Sequence, residues 1–243
     1  MCIRDRAIAD AGAKKVFAIS AQTPFAVDTY TRLAEVLKQR GGEAIGQVIY
    51  DASKSSFRSE IDSALKAKPD ALFLNSYTPD LTILLRELFR AGYDGKKFTL
   101  AYAANAKLLE SLPPEVVEGL VSMAPSPDLD SPAYKKVQSI IGPDPDPYSA
   151  QVHDHLSLAV LASAKAGAAT GQAIHDTVRA VGNPAGTKVT SAVEGLKLIA
   201  AGKEVNFEGA SGPCKFTPTG DIENCKFRFE VAEKGKYRLL SVS

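Results

Sequence analysis

Residues 71–92 read ALFLNSYTPDLTILLRELFRAG and combine a buried strand with the helix that follows it. The run Ala71–Leu74 is apolar throughout, which is typical of a strand covered on both faces. Pro79 is favoured at the first position of a helix, and Gly92 just after the last one. Apolar residues recur between them at helical spacing. This stretch predicts one strand–helix unit of an α/β fold.

The same unit recurs along the first half of the chain. The predicted strands are Val16–Ser20, Ile45–Tyr50, Ala71–Leu74, Phe98–Ala101 and Leu120–Met123. Their starts lie about 22 to 29 residues apart, which leaves room for a crossover helix between successive strands. We therefore predict a mostly parallel sheet with helices on both faces.

The second half has a different character. A proline-rich stretch at 125–147 reads as a crossing segment with a short helix at 133–141. Helices are predicted at 148–167, 173–181 and 189–201, and strands at 205–207, 212–217 and 225–231. Residues 218–221 predict a hairpin turn. Three helices and a hairpin form no closed sheet, so we expect their apolar faces to need a partner.

The first residues suggest a truncated chain. Met1–Arg6 is too short and too charged for a secretory signal, and it runs directly into Ala7–Gly12. That second stretch has the pattern of the closing turns of a helix, which ends at a glycine. We interpret Met1–Arg6 as a non-native start; a native short helix is the alternative.

Composition excludes several classes of protein. The chain has 243 residues, 45% hydrophobic and 23% charged, with a formal net charge of +1. These values exclude a disordered chain, and the even charge balance gives no sign of a nucleic-acid partner. No apolar run is long enough for a membrane span. Three histidines and three cysteines leave little material for a metal or redox centre, so we predict no metal and no cofactor.

Catalytic signatures are missing from the sequence. It contains no G-x-G-x-x-G, no phosphate-binding G-x-x-x-x-G-K-[ST] and no G-x-S-x-G nucleophile motif. His153 and His155 are two apart in a predicted helix, where they would point to different faces and could not share a metal. We predict that the protein is not an enzyme. A hydrolase using Ser20 or Ser76 is the less favoured alternative.

Polar and aromatic residues follow the predicted strands at their carboxyl ends, where open parallel sheets bind ligands. The candidate ligand-binding residues are Gln22, Thr23 and Phe25 after the first strand, Ser76 and Tyr77 after the third, and Tyr102 after the fourth. Hydroxyls, amides and rings suit a small polar organic molecule. The alternative is that these residues only cap helices and fill turns.

Cys214 and Cys225 flank the predicted hairpin symmetrically. A two-residue turn at Thr219-Gly220 would place them opposite each other on neighbouring strands. A disulfide is then geometrically plausible and would indicate an oxidising compartment. Two buried free thiols remain the alternative.

Several motifs, in order, cover nearly the whole chain. They are Lys15–Ile19 with Thr23-Pro24-Phe25, Pro69–Tyr77, Arg90–Tyr93, Glu118–Val121, Phe207–Pro213 and Phe216–Asp221. Together they resemble the periplasmic branched-chain amino-acid-binding (leucine/isoleucine/valine-binding-like) receptors of ABC importers.

The resemblance implies a two-lobed periplasmic-binding-protein type I (venus flytrap) fold. Residues 7–124 would form a complete second lobe with five parallel strands, and 125–147 the hinge. Residues 148–243 would form the carboxyl-terminal part of the first lobe, whose opening half would be missing.

The resemblance also suggests roles for individual residues. The family's ligand-contacting aromatics fall on Phe25 and Tyr77. The acidic residue that holds the ligand's ammonium group would fall on or beside Tyr102, where no carboxylate stands. Asp51 and Asp80 are displaced substitutes. This departure disfavours an α-amino acid and favours a carboxylic acid, an amide or an aromatic compound.

The function implied is that of a monomeric periplasmic receptor, its signal peptide lost with the start of the chain. It would capture a branched-chain amino acid or a similar small polar or aromatic solute by lobe closure and deliver it to an ABC permease. The alternative is a ligand-sensing module of a signalling protein with the same fold.

Overall fold

The computed structural model describes residue 8, residues 11–51 and residues 54–242. The predicted non-native start at Met1–Arg6 lies outside these residues, as do Ala7, Ala9 and Asp10 of the helical turns predicted after it. The chain divides into two compact units. Unit 1 comprises Met1–Ala124 and Phe227–Ser243, and unit 2 comprises Pro125–Lys226.

The described residues form ten strands and nine helices. The strands are β1 (Lys15–Ala21), β2 (Glu43–Tyr50), β3 (Ala71–Asn75), β4 (Lys96–Leu100), β5 (Leu120–Pro125), β6 (Thr187–Val189), β7 (Val205–Gly209), β8 (Gly212–Pro213), β9 (Phe227–Glu233) and β10 (Lys236–Val242). The helices are α1 (Pro24–Gln39), α2 (Arg58–Lys66), α3 (Thr78–Arg90), α4 (Ala106–Ser111), α5 (Pro114–Val117), α6 (Pro132–Ile141), α7 (Ser149–Ala166), α8 (Gly171–Val181) and α9 (Ala192–Ala200). None of these helices is long and apolar enough to cross a membrane.

Unit 1 is built on a seven-stranded sheet with the order β10-β9-β5-β4-β3-β1-β2. Neighbours among β1 to β5 pair in parallel, and β9 pairs antiparallel with β10. The predicted α/β fold with a mostly parallel, helix-flanked sheet is confirmed. All five strands predicted for the first half are present.

Strands β1 and β3 are buried on both faces of the sheet, and successive side chains of each strand point to opposite sides. In β3, Leu72 and Leu74 join one apolar cluster with α2 to α5, whereas Ala71 and Phe73 join a second cluster with α1. The strands therefore read as continuous apolar runs, as parallel strands do. Proline within the first turn starts both α1 and α3.

Unit 2 has a smaller sheet with the order β6-β7-β8. The strand β6 runs parallel to β7, and β8 runs antiparallel to it. Helices α7, α8 and α9 share one apolar cluster with this sheet, in which Leu161 and Phe207 are fully buried. Helix α6 belongs to a second cluster with Ala150 and Ala210.

The division into units differs from the predicted one at two places. The proline-rich segment 125–147 is part of unit 2, because α6 packs against α7 and β7 there. The predicted block 148–243 is split after Lys226, because β9 and β10 extend the sheet of unit 1.

Two short elements of the second half were also predicted wrongly. The helix expected at 189–201 begins at Ala192, capped by the hydroxyl of Ser191, because Val189 is the last residue of β6. The predicted strand at 212–217 is only two residues long. The hairpin turn is present, but it is closed by a single bridge between Phe216 and Ile222.

Candidate functional site

The strand order of unit 1 creates a crevice at one edge of its sheet. In the order β2-β1-β3-β4-β5, the chain leaves β1 for β2 on one side and later returns to β3 on the other. Connections from the carboxyl ends of β1 and β3 therefore turn in opposite directions. Open parallel sheets bind ligands at this switch point.

An open hollow of about 300 Å³ lies there. It is lined by Ala21, Thr23, Phe25, Asn75, Tyr77 and Tyr102, which come from the ends of β1, β3 and β4. Phe25 and Tyr77 are 50% and 53% exposed, and Tyr102 is also partly exposed. Three accessible aromatic rings around one concave surface are typical of a ligand-binding site.

Hydrogen bonds and ring contacts hold in place the side chains at the carboxyl ends of β3 and β4. The hydroxyl of Tyr102 donates to Oδ1 of Asn75 at 3.0 Å. The rings of Tyr77 and Tyr102 lie 5.7 Å apart, between their centroids, at a tilt of 43°. The hydroxyl of Thr78 donates to the backbone carbonyl of Tyr102 at 3.4 Å. The two tyrosines are therefore held as one wall of the hollow.

Four of the six predicted ligand-binding residues line this hollow: Thr23, Phe25, Tyr77 and Tyr102. Gln22 and Ser76 are not among the lining residues. Gln22 is exposed, and its backbone N–H donates to the carbonyl of Tyr50 at 2.9 Å. Ser76 is buried, with its hydroxyl beside that of Tyr50. Gln22 and Ser76 each directly precede a lining residue. Because successive side chains of an extended chain point in opposite directions, both side chains point away from the hollow.

The lining is uncharged in the described residues: its polar groups are two phenols, one hydroxyl and one amide. Asp80 is buried elsewhere, where its Oδ2 accepts from the Tyr50 hydroxyl at 3.1 Å. Burial raises the pKa of Asp80, and the hydrogen bond from Tyr50 opposes this rise. Asp51 is exposed beyond the end of β2. Neither aspartate lines the hollow.

Asn75 stands at the end of the third predicted strand, but it was not among the six ligand-binding residues selected from the sequence. It is the last residue of β3, and it is buried against the hollow. The sequence held a signal for it, because an amide directly after four buried apolar residues is an unusual place for a polar side chain.

Ser20 and His153, two of the groups considered for catalysis or metal binding, have other partners. The hydroxyl of Ser20 accepts from Nε2 of Gln47 at 3.1 Å. Nδ1 of His153 lies 2.8 Å from the buried carboxylate of Asp154, which also accepts from the backbone N–H groups of Ala210 and Ser211. Within the part of the chain that the structure describes, no group of three or more His, Cys, Asp or Glu side chains could hold a metal ion.

Cys214 and Cys225 are free thiols, the first buried and the second exposed, and the predicted disulfide is not formed. The reason is the register of the hairpin. The backbone N–H of Glu223 donates to the carbonyl of Lys215 at 2.8 Å, which sets Cys214 across from residue 224. A shift of one residue turns a side chain to the other face. Burial raises the pKa of Cys214 to about 12.

Comparison with known proteins matches this chain to one protein family. The model of the periplasmic binding protein family matches residues 5–236. A curated relative, the chemotactic signal transduction system substrate-binding protein BasB of Halobacterium salinarum, is 25% identical over 189 residues. That match covers 76% of this chain and 45% of BasB.

Solved structures share the fold over almost the whole chain. The leucine-binding protein LivK of Thermotoga maritima has a TM-score of 0.75 at 20% identity and covers 99% of this chain, which spans 65% of LivK. An ABC-transporter solute-binding protein of Rhodopseudomonas palustris, solved in complex with benzoate, has a TM-score of 0.68 at 15% identity. It covers 98% of this chain, which spans 61% of it. These similarities establish the type I periplasmic binding fold. The chain thus spans less than two thirds of each of these relatives.

Proposed function

Since the chain belongs to the periplasmic binding protein family, we propose that it serves as a solute-binding receptor that captures a small molecule and passes it to an ABC permease. Members of this family are substrate-binding receptors and not enzymes. A receptor needs a surface that binds reversibly, and it needs no group that attacks the ligand. The hollow of unit 1 meets this description, since its lining offers contacts and hydrogen bonds only.

The observation that carries the proposal is the set of three accessible aromatic rings at the switch point of the sheet. Each ring exposes apolar area that a bound solute would remove from water. The open shape of the hollow leaves one side of a solute uncovered. Closure of the receptor over the hollow would bury that side and retain the solute.

The uncharged lining supports a solute that is not recognised here by its ammonium group. A buried ammonium needs an anion close by, and none lines the hollow. No cation among the described residues lines the hollow either, so a carboxylate would have to be bound by the hydroxyl and amide donors of the lining. On this basis we propose a small carboxylic acid, amide or aromatic compound. Support comes from the R. palustris relative bound to benzoate. An amino acid, as the name of LivK indicates for that protein, would have to place its ammonium group elsewhere.

A titration followed by NMR tests this proposal on the ¹⁵N-labelled 243-residue chain. Benzoate and leucine serve as probes, because NMR detects the weak binding that an open hollow permits. We expect benzoate to shift backbone signals of residues 21–25, 75–77 and 102. Tyr77→Ala should weaken benzoate binding about tenfold through the lost ring contact. Phe89→Ala is the matched control, because Phe89 is 50% exposed in the same unit outside the hollow. Equal effects of the two substitutions would contradict the proposed site.

A sensing role is the second candidate, favoured by the match to the chemotaxis protein BasB. The same hollow would bind the solute, and the ligand-bound receptor would engage a signal transducer in place of a permease. Deleting the gene separates the two roles in cells. Loss of solute uptake supports the importer, whereas loss of the chemotactic response with uptake intact supports the sensor.

A further inference from the structure

The amide of Asn75 has a hydrogen-bonding group without a partner. The side chain lines the hollow, yet the residue is only 4% exposed. Its Oδ1 accepts from the Tyr102 hydroxyl, but its Nδ2 is buried and has no hydrogen-bond partner among the described residues. Native structures rarely leave a buried donor unpaired, so this group calls for a partner from outside the chain.

In the structure the contact with Tyr102 is made by Oδ1 of Asn75, and Nδ2 is the end of the amide that remains available. Because Oδ1 is engaged by the phenol at 3.0 Å, the atom left over is a donor and not an acceptor. The phenol is itself held against the ring of Tyr77. The donor is therefore fixed in position before a solute arrives, which reduces the ordering cost of binding.

We infer that Asn75 determines the specificity of the hollow by donating from Nδ2 to an acceptor oxygen of the solute. The acceptor is a carboxylate oxygen or an amide carbonyl oxygen, and the apolar part of the solute contacts the rings of Phe25 and Tyr77. This inference rests on the proposed function. It adds Asn75 to the aromatic lining as a residue that determines specificity, and it states that this residue donates the hydrogen bond to the solute.

The same donor discriminates against amines. An ammonium group has only N–H donors, so it cannot pair with Nδ2. An ammonium group placed at Nδ2 would set two donors against each other, so it would have to turn to the hydroxyl oxygens of the lining instead. A site built around a hydrogen bond rejects a ligand that lacks the matching group far more strongly than an apolar pocket does.

Asn75→Asp tests the inference, because it keeps the shape and the acceptor for Tyr102 but replaces the donor by a carboxylate. The probes are benzoate, benzamide and benzylamine, titrated into the ¹⁵N-labelled full chain. We expect benzoate to bind about tenfold more weakly or worse, and benzamide to stay within about threefold, since its NH₂ can donate to the new carboxylate. Benzylamine should bind more tightly than to the wild type.

Asn105→Asp is the matched control. Asn105 caps α4 by accepting from the backbone N–H of Leu108 at 3.0 Å, and aspartate caps equally well. It makes the same chemical change at the same edge of the sheet and should alter none of the three affinities by more than about twofold. In the wild type, the side-chain NH₂ signal of Asn75, identified by its loss in Asn75→Asp, should shift with benzoate and benzamide.

The outcomes separate the inference from the proposed function. If the wild type binds benzoate at the hollow but Asn75→Asp weakens all three probes equally, Asn75 has only a structural role and the inference is wrong. A side-chain NH₂ signal that stays unmoved while benzoate binds would overturn the inference as well. If no probe shifts any signal of the hollow in the wild type, the proposed ligand class fails first.

Discussion

The helices of unit 1 are more completely covered by their sheet than the helices of unit 2. In unit 1 a seven-stranded sheet takes up apolar side chains on both faces, and the helices α1 to α5 close over it. Unit 2 has three strands of two to five residues for four helices. On its long helix α7, Val152, Leu156 and Val160 follow one another at steps of four residues, and all three are exposed.

The difference shows that apolar periodicity predicts a helix but not the surface that covers it. Helices α3 and α7 both carry many apolar residues, and α3 packs its leucines into a cluster against the sheet. Only one side of α7, through Leu158, Leu161 and Ala162, does the same. Substitutions in each unit can therefore test whether the two cores are separate and how much each contributes.

The largest effect is expected in the core of unit 1. Leu72→Ala removes a fully buried side chain from the central strand β3 and should lower the free energy of unfolding by about 2–5 kcal/mol. Hydrogen exchange read by mass spectrometry should show faster exchange in peptides of unit 1 and unchanged exchange in unit 2. Equal acceleration in both units would contradict the division into separate cores.

The next effect concerns a buried carboxylate of unit 2. Both oxygens of Asp154 accept hydrogen bonds, from the backbone N–H groups of Ala210 and Ser211 at 2.7 Å and from the Ser211 hydroxyl at 2.5 Å. Asp154→Ala leaves these buried donors unpaired and should cost about 2–3 kcal/mol. A Cβ at Gly209 would collide with the same carboxylate, which explains the glycine there.

Asp154→Asn is the control for that substitution. It retains one acceptor oxygen and should lose less stability than Asp154→Ala. Urea unfolding of both variants provides the measurement, with hydrogen exchange localising the change to residues 205–213. If the alanine variant unfolds at the wild-type urea concentration, the turn between β7 and β8 does not depend on Asp154.

The sequence was most informative where burial is continuous. Strands β1 to β5 were predicted because a parallel strand buried on both faces has to be an apolar run. The edge strand β10 was not predicted, since Leu239 and Leu240 are both exposed and show no alternation between faces. Residues 227–242 belong to unit 1 because β9 lies beside β5 in its sheet, and no local pattern indicates this long-range return.

The candidate site could be predicted in part for a similar reason. Phe25, Tyr77 and Tyr102 follow strand ends, and strand ends can be located from the apolar runs. The bond between Tyr102 and Asn75 joins residues on neighbouring strands that are 27 positions apart. Such a contact depends on which strands are adjacent, which the sequence does not state. The disulfide prediction was wrong for a related reason. It depended on the register of a short hairpin, which the sequence does not specify either.

A smaller, pH-dependent effect on stability is expected at the buried Asp80 of unit 1. The carboxylate of Asp80 accepts a hydrogen bond from the Tyr50 hydroxyl, and burial raises the pKa of Asp80 above the ordinary 3.8. Its protonated form therefore stabilises the fold below that value, and this contribution is lost as the pH rises through the folded-state pKa. At pH 7 the ionised group is destabilising. Asp80→Asn should raise stability at pH 7, and the gain should vanish near pH 3.

The control for this prediction is Asp62→Asn, an exposed aspartate on α2 of the same unit. It should change stability by no more than about 0.5 kcal/mol at pH 7. The measurement is the urea midpoint of each variant between pH 3 and pH 7. A lower midpoint for Asp80→Asn at pH 7 would show that the bond from Tyr50 outweighs the cost of burial.

The smallest effect is expected on the exposed side of α7. Leu156 is 67% exposed, so Leu156→Gln removes little contact area and should alter the free energy of unfolding by less than about 0.5 kcal/mol. This is the counterpart of Leu72→Ala, because both substitutions remove a leucine, one fully buried in β3 and the other exposed on α7. A loss of stability as large as that of Leu72→Ala would mean that α7 is packed on both sides, and the contrast between the units would fail.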